Sequence, residues 1–103
     1  MVNLDEVQIG YQRKHEGKEV GEVWARVKVA CAGDRIYSHH LNLSTILNWQ
    51  VTPDDEIGDV GYFVTTDLHD EGQHDNYGSV WAWTATDSAK SGSIWVQVHA
   101  LGQ

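Results

Sequence analysis

Much of this chain is written in period two. Between Val20 and Cys31, Val23, Ala25, Val27 and Val29 alternate with Glu22, Trp24, Arg26 and Lys28. Successive side chains of a strand point to opposite sides, so the pattern predicts a strand with one buried face. Trp24 falls on the other face, among charges. The density of β-branched valine favours strand over helix. The same rule reads residues 4–13 as a strand with Val7, Ile9 and Tyr11 on one face. It reads Val60 to Thr66 as another, with Tyr62 and Val64 alternating with Gly61, Phe63 and Thr65.

Ala32-Gly33-Asp34 is a tight turn, and Arg35 to Leu43 is predicted to return as a hairpin strand. Pairing apolar with apolar sets Val29 opposite Tyr37, Ala25 opposite Leu41 and Val23 opposite Leu43. Trp24 then lies opposite Asn42, and Arg26 opposite His40. Ser44 to Val51 reads as a short helix, with Ser44 as N-cap and Pro53 as the stop. Ile46, Leu47 and Trp49 would cover one open end of the sheet structure.

The C-terminal quarter holds the densest aromatic signal. Trp81 and Trp83 alternate with Val80, Ala82 and Thr84, and Trp95, Gln97 and His99 alternate with Ile94, Val96 and Val98. Read as a hairpin with Thr84 opposite Val96, the two strands bring Trp81, Trp83, Trp95, Gln97 and His99 onto one surface away from the core. A slip of one residue would turn Trp81 and Trp83 into the core instead. The expected fold is all-β: one domain over residues 1–103, an antiparallel β-sandwich or small barrel of about six strands with one short helix.

The stretch LNLSTILN, residues 41–48, resembles a short segment of the cyanovirin-type lectins. The chain lacks that family's internal repeat and paired cysteines, and no residue role is carried over.

Charge sharpens the picture. Residues 1–35 hold six acids and six bases, whereas residues 36–103 hold nine acids and only Lys90, which accounts for the net charge of −8. Asp54 to Asp75 carries eight acids and no base. Phosphate backbones would be repelled there, so nucleic acid is not an expected partner. No apolar run approaches the ~20 residues that a membrane helix needs, so no membrane is expected either. Cys31 is the single cysteine. It sits in a hydrophobic run and reads as a small buried thiol. With no visible secretory signal, it leans the expectation weakly towards the cytoplasm.

Three functional readings follow. The first is a non-enzymatic binding module for a neutral or carbohydrate-like ligand. Indole rings stack on the apolar faces of sugars, and amide or imidazole neighbours satisfy the hydroxyls. Its residues are Trp81, Trp83, Trp95, Gln97 and His99, with Trp24 and His40 secondary. Against it stands the ordinary use of tryptophan in a core or a homo-oligomer interface. The second is an acidic protein-interaction component, such as an inhibitor, an immunity-type protein or an assembly subunit, using residues 54–75 to hold a basic protein. The third is a small enzyme using His39, His40 or His99 as acid or base. No nucleophile elbow or phosphate loop supports it, and no catalytic residue is assigned. Asp67, His69, Asp70, Glu71, His74 and Asp75 could hold a divalent cation, but their spacing matches neither an EF-hand nor a zinc-hydrolase motif. No metal or other cofactor is assigned.

Overall fold

Among the described residues, seven strands make two antiparallel sheets. A computed structural model describes residues 6–14, 21–53, 62–70, 73–84 and 92–103. The strands are β1 (Val7–Lys14), β2 (Gly21–Ala30), β3 (Asp34–Tyr37), β4 (Ile46–Pro53), β5 (Tyr62–His69), β6 (Tyr77–Thr84) and β7 (Ser93–Gly102). Sheet A has the order β1-β2-β7-β4, and sheet B the order β3-β6-β5. The pairings nest: β2 with β7 outermost, β3 with β6 inside them, and β4 touching β5 across the two sheets. The β2–β7, β7–β4 and β3–β6 pairs join strands distant in the chain, and β1 is added along the free edge of β2.

The core lies between the sheets and obeys the alternation in the sequence. Val23, Ala25, Val27 and Val29 of β2 meet Ile94, Val96, Val98 and Ala100 of β7, with Ile36, Val80 and Ala82 facing them from sheet B. All are at most 5% exposed. Each fully buried Val or Ile contributes about 1.5–3 kcal/mol relative to exposure. Cys31 is buried in the same cluster, as its setting predicts.

Four expectations are corrected. β2 does not pair with β3: at Cys31 to Gly33 the chain crosses from sheet A to sheet B. Gly33 takes φ +130° there, and the Asp34 carboxylate accepts the Ala30 N–H at 3.1 Å and the Arg35 N–H at 2.9 Å. The predicted strand over 35–43 stops at Tyr37 and becomes a 3-10 helix, Ser38–Leu41, that ends at Asn42 in the left-handed region. The predicted helix over 44–51 is strand β4. A shift of register between Ile46 and Asn48 breaks the period at Leu47, and regular alternation begins only beyond it, with Trp49 and Val51 inward and Asn48, Gln50 and Thr52 outward. Likewise, the bulge at Gly10 turns Tyr11 away from the face of Val7 and Ile9 and sets it opposite Trp24.

Trp49 packs against the core as expected and lies over Gly78 of β6, where a Cβ would fall inside the indole. Asn76, 2% exposed, joins the sheets at this end. Its Oδ1 accepts the Ile46 N–H at 2.6 Å, and its Nδ2 donates to the Ile46 carbonyl at 2.8 Å and to the His69 carbonyl at 3.2 Å. The side-chain amide thus pairs with β4 as a strand backbone would.

Candidate functional site

The predicted five-residue surface does not exist as one surface. β6 pairs with β3 and β5, and β7 pairs with β2 and β4, so Thr84 is not opposite Val96. The alternation itself holds: Trp81 and Trp83 point outward from sheet B, and Trp95, Gln97 and His99 point outward from sheet A. The two sets occupy opposite outer faces of the sandwich.

Sheet A gathers the larger share of the named residues. Cross-strand register places Trp24 opposite His99, Arg26 opposite Gln97 and Lys28 opposite Trp95. Trp24 and His99 stack with ring centroids 3.9 Å apart and planes 7° from parallel. His99 Nε2 lies 3.2 Å from Glu22 Oε2. A carboxylate only accepts, so the ring donates this bond and is held in place beneath the indole. The Arg26 guanidinium sits 4.7 Å from the centre of the Trp95 ring, a cation–π contact. Trp24 stays 45% exposed.

Beside Trp24, a groove of about 280 Å³ runs between β1 and β2, lined by Gln8, Ile9, Gly10, Trp24, Arg26 and Gln97. The Gly10 bulge opens it, because that position carries no side chain. Trp24 and Gln97 are candidates from the sequence, whereas Gln8 and Gly10 were not singled out. Their only signal was a glycine inside a strand pattern, which often marks a bulge or a close approach.

Sheet B presents a second aromatic face. Tyr37, Tyr77 and His69 form a cross-strand row, with ring centroids 5.1 Å apart for Tyr37–Tyr77 and 4.7 Å for His69–Tyr77. Arg35 lies 4.7 Å from the centre of the Tyr77 ring. A hydrogen bond with the Tyr37 side chain, and then the nearby Tyr77, hold its guanidinium above the ordinary pKa. Trp83 Nε1 donates to Thr65 Oγ1 at 2.8 Å. Ser79, His69 and Asp67 are adjacent here without forming a hydrolase triad. Ser79 Oγ and Asp67 Oδ2 both lie 3.4 Å from the same nitrogen, His69 Nε2, whereas a triad needs the carboxylate on Nδ1.

His40 belongs to neither face. It is 5% exposed in the 3-10 helix, and its Nδ1 accepts the Tyr37 N–H at 2.9 Å. Its neighbour His39 is exposed and donates from Nδ1 to Asp75 Oδ1 at 2.7 Å. That bond, supported by the Ser38 hydroxyl, holds the Asp75 carboxyl below its ordinary pKa. His39 also borders a cavity of about 680 Å³, with Gln12, Arg13, Glu22, Asn42 and Gln103. Of the acidic stretch 54–75, residues 54–61, 71 and 72 lie outside the described residues. Among the described residues no group of three or more His, Cys, Asp or Glu could hold a metal ion, and no helix is long and apolar enough to cross a membrane.

Comparison with protein-family models, with curated proteins and with solved structures finds no match. The functional reading therefore rests on the chemistry of these faces.

Proposed function

We propose that the chain is a non-enzymatic binding domain that takes a neutral, carbohydrate-like ligand on the outer face of sheet A. The carrying observation is Trp24: nearly half exposed, stacked on His99, and bordering a groove lined with amides. An indole already fixed by a stacked partner loses little freedom when a sugar ring packs against it. Gln8, Gln97 and Arg26 supply hydrogen-bonding groups for hydroxyls along the same groove. The Trp95 ring, covered by the Arg26 guanidinium, holds that guanidinium beside the groove.

The test is a glycan-array screen followed by titration of the best neutral oligosaccharide into wild type and Trp24→Ala. The expected result is at least a tenfold loss of affinity in the variant, about 1.4 kcal/mol. Affinity unchanged by Trp24→Ala would remove this site. The exposed Asp67 and Asp70 support a second reading, the acidic interaction component. Absence of any oligosaccharide binding, together with salt-sensitive binding of a basic protein, would favour that reading.

A further inference from the structure

A separate groove of about 490 Å³ opens on the outer face of sheet B, lined by Gly33, Asp34, Arg35, Tyr37, Ser79 and Trp81. Its parts are held in place before any ligand arrives. Gly33 packs against the Trp81 indole, where a Cβ would stand 2.8 Å from Nε1. Arg35 is fixed by Tyr37 and by the face of Tyr77. The Asp34 carboxylate is occupied by two backbone N–H groups of the crossover turn. Asp67 stands opposite Ser79 on the neighbouring strand, 3.4 Å from His69.

The charges in and beside this groove oppose one another, with Arg35 against Asp34 and Asp67. An anionic ligand gains little from such a set. A neutral polyhydroxyl ligand gains donors from the guanidinium and aromatic surface from Trp81 and Tyr37. The geometry points to a second glycosyl-binding site in this groove, so that one chain holds two glycans on opposite faces and cross-links them. The inference rests on the reading of sheet A as a carbohydrate platform. Packed sheets stand ~10 Å apart and these sites face away from each other, so two sites on one chain bridge two separate glycan-bearing surfaces.

The experiment is calorimetric titration of the full chain with cellohexaose, xylohexaose, maltohexaose and chitohexaose. Agglutination of beads carrying whichever sugar binds is measured beside it. Two sugars per chain are expected in wild type. Trp81→Ala and the surface substitution Arg35→Gln should each leave one, as should Trp24→Ala, and each single variant should lose agglutination. Circular dichroism checks that each variant is folded, and Arg35→Gln decides the matter if Trp81→Ala is not. One sugar per chain, lost in Trp24→Ala and kept in Trp81→Ala and Arg35→Gln, would overturn the second site and leave the first intact. One sugar per chain, lost in Arg35→Gln and kept in Trp24→Ala, would overturn both cross-linking and the sheet A site. No binding of any sugar on this panel or on the glycan array would remove both proposals.

Discussion

Replacing Asn76 tests whether one side chain joins the two sheets. Its amide makes three hydrogen bonds to backbone groups of Ile46 and His69, and the Thr45 hydroxyl lies 3.3 Å from its Oδ1. Ile46 is wholly buried, so water cannot replace what is lost there. In Asn76→Ala the Ile46 N–H costs about 1–3 kcal/mol as an unsatisfied buried donor, and the remaining bonds about 1 kcal/mol together or somewhat more. A total of about 2–4 kcal/mol is a large part of the ~5–15 kcal/mol that holds a domain folded. At roughly 4–8 °C per kcal/mol for a domain near this size, Tm should fall by at least about 8 °C. Asn76→Asp sharpens the test, because its second carboxylate oxygen would face two carbonyl oxygens. Its folded-state pKa should therefore be raised above the unfolded value of ~3.9. The folded state then binds the extra proton more tightly, so the added penalty is absent below the unfolded pKa and complete above the folded one. Thermal melts followed by circular dichroism at about pH 4 and about pH 7 measure both effects, with wild type as the reference at each pH. A Tm for Asn76→Ala within about 3 °C of wild type would refute the reasoning, since that is under ~1 kcal/mol.

Two further perturbations probe the same end of the sandwich. Gly78→Ala places a methyl group where the Trp49 indole lies, so overpacking should destabilise by about 1–3 kcal/mol, read from the urea midpoint. A midpoint unchanged from wild type would mean that Trp49 does not pack there. Asp75, with its pKa lowered mainly by His39, should contribute stability that is present above the unfolded carboxylate pKa and lost as pH falls through the folded one. Asp75→Asn should therefore lower the urea midpoint near neutral pH and converge with wild type in acid. The effect should be small because both partners are substantially exposed, and a difference that does not change with pH would contradict the assignment.

Much of the candidate site was legible before any fold was known. The outward position of Trp24, Trp95, Gln97 and His99 follows from alternation against Val, Ala and Ile neighbours, and the strands realise it, whereas alternation left Trp81 and Trp83 open between core and surface until the pairing of β6 with β3 and β5 turned them outward. His40 was misplaced because a 3-10 helix ends β3 early, and no periodic signal marks a four-residue strand that turns into a single helical turn. The Trp24 groove was only half legible, since it needs β1 beside β2 and a bulge at Gly10.

Period two is a property of a single strand: it assigns each side chain to one of two faces and says nothing of which strand lies alongside. The sequence by itself determined the all-β class and the buried valine rows, because burying apolar area rewards any arrangement that keeps those rows inside, but it left Trp81 and Trp83 open between core and surface. It could not decide whether strands adjacent in the chain are adjacent in a sheet. That choice depends on burial summed over strands distant in sequence. Here it favours β2 with β7 and β3 with β6 over the expected hairpins β2–β3 and β6–β7, while β1–β2 and β5–β6 do pair locally. Closing the sandwich this way shields the valines of β2 and β7 from both sides, and it sends Trp81 and Trp83 to the face opposite Trp95 and His99. A single apparent aromatic surface thereby became two.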